Sequence, residues 1–293
     1  MKTDPSPLPE TDSRQPIALN STLPPYPKGT IREREGSWWY CLEGAEGMEP
    51  FLMTQASDSD HWMFILSNGG LTAGRRNPDQ ALFPYYTQDK MLDLSGRSGS
   101  RTLIRRVADR RLWQPFSESS ILEPGIRRNV SKNELGNQIE LEEIHPGLQL
   151  ALRVRWRPSG RFGFARRVEV VNLSGEACRI ELVDGLQNIL PPGIGQRFQN
   201  EFSILGDAYK QAELAGSGQL GIYHLSSVPT DLSDPMEALQ ASVAWQTGMG
   251  DGVTVLTDRQ LDRFRKGESL REESVSRGLR TSFLRQFSLE LEA

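Results

Sequence analysis

The chain has 293 residues, of which 37% are hydrophobic and 25% charged, and its formal net charge is −4 at pH 7. No run approaches the ~18 consecutive apolar residues of a membrane-spanning helix. The first residues (MKTDPSPLPETDSRQP) also lack the apolar core of a secretory signal. The composition predicts a globular protein with a packed core and no membrane partner, and the negative charge argues against a nucleic-acid partner.

Proline marks the first segment of the chain. Residues 1–35 contain seven prolines and little apolar pattern, which predicts an extended arm or linker. From residue 36 to residue 293 we expect one large domain. Strands are predicted at 38–42, 51–54, 61–67, 102–107, 125–131, 138–144, 148–157, 164–173, 178–184, 208–214, 219–226, 252–257 and 281–291.

The clearest alternation lies in 148–157, where apolar residues alternate with polar or basic ones, as a half-buried antiparallel strand requires. The two strands that follow are joined to it by short turns, which predicts a meander. Segment 236–245 suits either a turn of helix or a strand, and 261–276 suits a loop or a short surface helix. About a dozen strands with few helices and no repeat predict an all-β fold, a large antiparallel sandwich rather than a βαβ fold or a propeller.

The two cysteines, Cys41 and Cys178, lie far apart and neither belongs to a CxxC pair. This predicts neither a disulfide framework nor a zinc site, and it favours a reduced, cytoplasmic setting. The chain ends inside a strand pattern, so we expect it to be the N-terminal part of a longer protein.

Arginine dominates the basic residues, with 28 Arg against 6 Lys. Between Arg97 and Ile180 there are 16 basic and 9 acidic residues. Arginine pairs with carboxylates and phosphates through a planar fork, so a basic surface is one interpretation. The other is that the arginines alternate outward on solvent-exposed strands.

Segment 69–90 (GGLTAGRRNPDQALFPYYTQDK) holds the densest group of candidate binding residues. Aromatic faces and fork-like donors are what sugar recognition uses, and the segment contains both. The alternative is a long ordered loop whose aromatic residues fill the core and whose Arg75 and Asp79 pair internally. The candidates for substrate binding are Arg75, Asn77, Asp79, Tyr85, Tyr86, Asp89 and Lys90.

Carboxylates elsewhere in the sequence are candidate acid–base groups. Glu140 and Glu142 share a strand face at a spacing of about 7 Å, which fits paired-carboxylate chemistry or a solvated face. Asp184 continues an apolar row, so it needs a partner and either organises a turn or acts in catalysis. We add Asp184 and Asn188 to the candidate substrate-binding residues, and no catalytic residue is identified.

Motifs for cofactors and metals are missing. GGLTAG lacks the spacing of a dinucleotide fingerprint or a phosphate-binding loop, and neither GxSxG nor HExxH occurs. The three histidines, His61, His145 and His224, are isolated in the sequence. We therefore expect no cofactor and no metal.

Three stretches carry a family resemblance: SNGGLTAGRRNPDQALFPYYTQDK, VEVVNLSGEACRIELVDGLQNILPPG and PMEALQASVAWQTG. Together they resemble the N-terminal region of bacterial proteins related to cellobiose phosphorylases. The resemblance covers roughly residues 36–293 and implies a galactose-mutarotase-like β-supersandwich. In that family a helical linker and an (α/α)6 barrel with the catalytic acid follow, so the acid would lie beyond this chain.

The resemblance implies a domain that binds carbohydrate or packs on the barrel. It is also compatible with a homodimer of this chain. Aldose epimerases of the same fold use a histidine pair, which no motif here matches. A stand-alone epimerase or lyase, using one histidine with Asp184 or a glutamate, remains an alternative. A third hypothesis is an interaction module whose arginine-rich strands bind an acidic partner.

Overall fold

The computed structural model describes residues 27–93, 95–216, 218–229 and 237–293. The structure is 46% strand and 13% helix, and its strand pairs are antiparallel, so the predicted all-β class with few short helices is confirmed. The strands of the described part are β1 (Lys28–Arg34), β2 (Ser37–Glu43), β3 (Leu52–Gln55), β4 (His61–Leu66), β5 (Leu71–Arg75), β6 (Ala81–Phe83), β7 (Gly99–Arg106), β8 (Leu112–Trp113), β9 (Arg127–Asn133), β10 (Ile139–His145), β11 (Leu150–Ser159), β12 (Gly163–Asn172), β13 (Cys178–Gln187), β14 (Lys210–Ala215), β15 (Leu220–Leu225), β16 (Ser242–Trp245), β17 (Val253–Val255), β18 (Val275–Arg277) and β19 (Ser282–Leu291). The α-helices are α1 (Gln88–Asp93), α2 (Glu118–Ile121), α3 (Gln196–Glu201), α4 (Ser203–Tyr209) and α5 (Leu261–Arg265).

These strands form four sheets. A six-stranded sheet has the order β1-β2-β9-β10-β11-β12, and a five-stranded sheet has the order β17-β19-β13-β7-β8. Two four-stranded sheets have the orders β16-β15-β14-β18 and β3-β4-β5-β6. The meander prediction is right for β11 and β12 but wrong for β13, because β13 crosses to the five-stranded sheet and pairs with β7 and β19.

The six-stranded sheet begins inside the segment that was predicted to be an arm. β1 pairs with β2 over its whole length, from Lys28 opposite Glu43 to Arg34 opposite Ser37. The last proline of the segment is Pro27, so every later residue of β1 keeps a backbone N–H for the ladder. The boundary at residue 35 is therefore corrected to about residue 27, and the rest of the predicted arm lies outside the described residues.

One large apolar cluster draws residues from all four sheets. Its members include Trp156 and Val154 of β11, Leu182 of β13, Met63 of β4 and Tyr223 of β15. The six- and five-stranded sheets thus share a core, and β13 is placed to contact it through one of its faces.

A second, smaller cluster lies on the opposite face of the five-stranded sheet. Leu103, Val183 and Leu284 pack there against Leu261 and Phe264 of α5. The charged region 261–276 was expected to be a loop or a surface helix. The helix exists, and its two apolar residues are buried while its charged residues are exposed or half-buried.

The basic face of β11 is covered rather than solvated. Arg155 is only 8% exposed because it pairs with Glu140 of the adjacent strand (Nη2–Oε2, 2.8 Å) and with Glu35 (Nη1–Oε1, 2.8 Å). Its guanidinium also lies 5.0 Å from the ring centroid of the buried Trp39. The predictions that this arginine and Glu140 lie on a solvated face are wrong, since neighbouring strands bring opposite charges together.

Cys41 is buried and Cys178 is half-buried, and both are free thiols. None of the helices in the described ranges has the length and apolar character needed to cross a bilayer.

Candidate functional site

The structure gives the predicted residues of segment 75–79 a role in holding a loop. Arg75 is exposed and pairs with Asp60 (Nη2–Oδ2, 3.1 Å), so the expected internal pair with Asp79 does not form. Asn77 accepts a hydrogen bond from the backbone N–H of Asp79 at 3.1 Å and caps a short 3-10 turn. Asp79 in turn accepts one from the backbone N–H of Gln196 at 2.8 Å and ties this turn to the start of α3.

The predicted residues of segment 85–90 are divided between the protein interior and the surface. Tyr85 is half-buried and packs edge-on against Trp62, with ring centroids 5.6 Å apart. Tyr86 is half-buried, and burial raises the pKa of its hydroxyl. Asp89 and Lys90 are exposed on the first turn of α1. The segment thus has two half-buried tyrosines and, at its other end, two exposed side chains of opposite charge.

Asp184 joins the two largest sheets. It is 4% exposed, accepts a hydrogen bond from the Thr102 hydroxyl at 2.6 Å, and receives two from the Arg166 guanidinium at 2.8 Å each. The turn-organising role predicted for Asp184 is wrong, because β13 continues for three residues beyond it. Asn188 follows that strand in the left-handed region (φ 55°), a conformation that asparagine tolerates well.

A cavity of about 770 Å³ lies where β7 begins, where β13 ends and where α5 begins. None of the nine predicted residues lines it, although Thr102, which donates a hydrogen bond to Asp184, and Gln187, the last residue of β13, do. We call it the arginine cavity because, among the described residues, five arginines line it. These are Arg97, Arg101, Arg259, Arg265 and Arg280.

Two of these arginines share one neutral acceptor. The side-chain oxygen of Gln114 accepts hydrogen bonds from Arg101 Nη2 at 2.9 Å and from Arg265 Nε at 3.3 Å. Arg265 is also paired with Asp262 (Nη1–Oδ1, 2.6 Å). Arg101, by contrast, has no carboxylate within ion-pair distance in the described part of the chain, and its buried Nε has no hydrogen-bond partner there.

Burial, together with the nearby charge of Arg265, lowers the pKa of Arg101 to about 10, and Asp258 partly opposes this shift. The guanidinium is still charged at neutral pH. Gly96 borders it in a left-handed conformation (φ 74°), and a Cβ at that position would lie 2.7 Å from Arg101 Nη1. Glycine therefore lets the preceding loop close over this charge.

The rest of the lining is mostly polar. Within the described residues, the Ser100 hydroxyl and the side-chain oxygen of Gln187 are buried without a hydrogen-bond partner. Buried polar atoms without partners are costly, so each of them calls for a structural or functional explanation. The neutral polar side chains of the lining are Asn68, Ser95, Ser100, Thr102, Ser117, Ser119 and Gln187.

Glu143, which is fully buried, holds one wall of the cavity in place. Its carboxylate pairs with Arg128 (Nε–Oε2, 2.8 Å) and accepts hydrogen bonds from Trp113 Nε1 at 2.7 Å, from the backbone N–H of Phe116 at 2.8 Å and from the Ser120 hydroxyl. Phe116, which lines the cavity, has φ 62°, a strained conformation for a bulky residue. Such strain persists only where surrounding structure enforces it, and it is frequent at binding sites.

A second cavity, of about 850 Å³, is lined by residues 106–109, 148–149 and 174–179. Its Arg106 is already paired with Asp109, so it offers less unpaired charge than the arginine cavity. Within the described ranges, no group of three or more histidine, cysteine, aspartate or glutamate side chains is placed to hold a metal ion.

Sequence reasoning missed the arginine cavity for a specific reason. The arginine excess after Arg97 was a valid signal, but Arg259, Arg265 and Arg280 lie far along the chain and join Arg101 only through the fold.

No protein-family model matches this chain, and no curated protein matches it in sequence.

Proposed function

We propose that this chain is a carbohydrate-associated β-domain, the N-terminal part of a glycoside phosphorylase- or hydrolase-like enzyme. It binds a sugar, or packs on an (α/α)6 barrel that follows it, and does not itself cleave the glycosidic bond. The observation that carries the proposal is the arginine cavity, a large cavity with a mainly polar lining. The three sequence stretches that resemble cellobiose-phosphorylase relatives add support.

The chemistry of the lining suits a hydroxylated ligand. Ligand cavities commonly measure about 300–1,000 Å³, and this one has about 770 Å³. Hydroxyl and amide side chains can each donate and accept hydrogen bonds, as sugar hydroxyls require. Phe116 and Leu92 supply apolar contacts for C–H surfaces.

A β-supersandwich is the finer fold that we propose. The six- and five-stranded sheets contribute to one core cluster, and the Arg166–Asp184 pair connects them. A cytoplasmic location and assembly as a homodimer belong to the same proposal.

The two alternative functions have weaker support. An epimerase needs a histidine at the site, and none lines the described part of the arginine cavity. His145 instead lies 3.0 Å from Glu123 in a partly buried contact. An interaction module with exposed arginine strands is disfavoured because Arg153 and Arg155 are already paired with glutamates.

Calorimetric titration with neutral mono- and disaccharides tests the sugar-binding part. Ser119 is exposed on α2 and lines the cavity, so Ser119→Trp should place an indole ring in the cavity and weaken or abolish saturable binding. Ser203 is exposed at the start of α4, outside the described lining of the arginine cavity, so Ser203→Trp is the matched control and should bind as the wild type does.

Variants Tyr85→Ala and Tyr86→Ala test the segment that the sequence singled out. Loss of binding in these variants with no loss in Ser119→Trp would move the sugar site to that segment. If no sugar, neutral or charged, binds saturably to the wild-type chain, the sugar-binding half of the proposal is wrong and the packing role remains.

A further inference from the structure

The electrostatic state of Arg101 is unusual within the arginine cavity. Its guanidinium is half-buried and bonded to a neutral amide oxygen that it shares with Arg265. Two like charges held at one oxygen repel each other, and the repulsion is stronger where water is partly excluded.

The carboxylates of the cavity leave this charge only partly balanced. Asp262 forms an ion pair with Arg265, and Asp258 Oδ2 accepts a hydrogen bond from Gln187 Nε2 at 3.4 Å. Asp258 acts on Arg101 only through its field, since the two form no ion pair. The remaining acidic groups of the lining, Asp93 and Glu118, are exposed.

Two further arginines extend the positive field. Arg97 and Arg259 are exposed and line the cavity, and neither forms an ion pair with another described residue. Arginines in a cleft raise the local concentration of anions and speed their association.

We infer that the arginine cavity binds an oxyanion group, a phosphate or a carboxylate, between Arg101 and Arg265. Guanidinium groups hold such groups through paired, charge-assisted hydrogen bonds. The oxyanion gives Arg101 the negatively charged partner that it lacks. It also relieves the repulsion between the Arg101 and Arg265 guanidinium groups. The inference deepens the proposed function, on which it rests for the remainder of the ligand, and specifies a sugar that carries a phosphate or an acid group.

Titration with four compounds tests the inference: glucose, glucuronate, glucose 6-phosphate and inorganic sulfate, at constant ionic strength. We expect the two charged sugars to bind at least about tenfold more tightly than glucose, as a charge-assisted bond contributes. Sulfate should compete with them. The charged sugar that binds more tightly identifies whether the natural group is a phosphate or a carboxylate.

Arginine variants connect the effect to the residues. Arg101→Gln should lower the affinity for the charged sugars by about 10- to 100-fold, and it should leave the affinity for glucose nearly unchanged. Arg101→Lys keeps the charge and loses the planar guanidinium. Its affinity for the charged sugars should therefore lie between those of the wild type and Arg101→Gln. Arg197→Gln is the matched control, because that arginine is exposed on α3 and paired with Glu201 outside the described lining of the cavity.

The outcomes separate the two proposals. Equal binding of charged and neutral sugars overturns the oxyanion inference and leaves the proposed function intact. Saturable binding of sulfate that depends on Arg101, with no sugar bound, supports the oxyanion site and contradicts the sugar-binding function. If Arg101→Gln does not fold, Arg265→Gln on the exposed side of α5 takes its place, and unchanged sulfate affinity in that variant overturns the inference.

Discussion

Arg166 on β12 and Asp184 on β13 form a two-pronged ion pair, with Nη1–Oδ2 and Nη2–Oδ1 distances of 2.8 Å each. Their side chains are 9% and 6% exposed, and the two strands belong to different sheets. Because Asp184 also accepts a hydrogen bond from Thr102, the pair reaches the lining of the arginine cavity. The contact between the sheets and the shape of the cavity therefore depend on the same carboxylate.

Asp184→Ala should destabilise the protein by about 3–5 kcal/mol, because it leaves the buried Arg166 charge without a partner. Urea unfolding followed by circular dichroism measures the loss. The double variant Asp184→Leu with Arg166→Met should be clearly more stable than Asp184→Ala, since it removes both charges. A loss below about 1 kcal/mol in the single variant, as exposed pairs give, would show that the pair is solvated.

Glu143→Gln should also lower the free energy of unfolding by about 3 kcal/mol or more, because Arg128 loses its buried partner. The backbone N–H of Phe116 loses a charged acceptor at the same time, so ligand affinity of the cavity should fall as well. Glu201→Gln is the control: Glu201 pairs with Arg197 on the surface of α3 and should contribute no more than about 0.5 kcal/mol. Similar small losses in both variants would contradict the anchoring role of Glu143.

Gly185→Ala should prevent folding or destabilise by at least about 3 kcal/mol, as strain at a special backbone position does. Gly185 has φ 157°, and a Cβ there would overlap the carbonyl oxygen of Phe283 on β19. At Gly175 a Cβ would meet nothing within 4 Å, so Gly175→Ala should be close to wild type in its thermal midpoint. Equal midpoints for the two variants would mean that β13 and β19 separate easily at this point.

The stability should fall as the pH decreases below the ordinary pKa of histidine, about 6.5. His145 is 1% exposed, and its Nδ1 accepts a hydrogen bond from the backbone N–H of Leu148, so Nε2 carries the proton of the neutral ring. Burial lowers the pKa of His145, and Glu123 only partly opposes this. The unfolded chain therefore binds more protons than the folded chain below about pH 6.5, and stability is greatest above that pH.

Urea midpoints between about pH 5 and 8 measure this dependence, which covers the titration range of histidine. His145→Gln should reduce the slope without abolishing it, because burial also lowers the pKa of His61. The same slope in wild type and variant would show that His145 is protonated as easily in the folded chain as in the unfolded one.

The all-β class could be read from the sequence because apolar and polar residues alternate along β11 and turn residues punctuate the strands. The pairing of β13 could not, since a strand of the same pattern fits either sheet. Alternation also places Glu143 on the opposite face of β10 from Glu140 and Glu142. Only the fold shows that both faces are covered, one by Arg128 and the other by Arg155.

The candidate site was largely beyond sequence reasoning. Segment 69–90 combines aromatic and charged residues locally, and so it attracted the prediction. Arg101 and Arg265, in contrast, lie on β7 and α5, far apart in the sequence. They are neighbours only in the folded chain, where the Gln114 side chain accepts hydrogen bonds from both. Long-range packing decides such contacts, and no local pattern encodes it.

The two apolar clusters lie on opposite faces of β13, where Leu182 belongs to the large cluster and Val183 to the small one. Neither cluster can lose its packing without exposing a strand that the other needs. Loss of both should therefore be one cooperative event rather than two. The amide protons at the centre of β13 should exchange with solvent only through global unfolding, and they should be the slowest-exchanging amides of the chain.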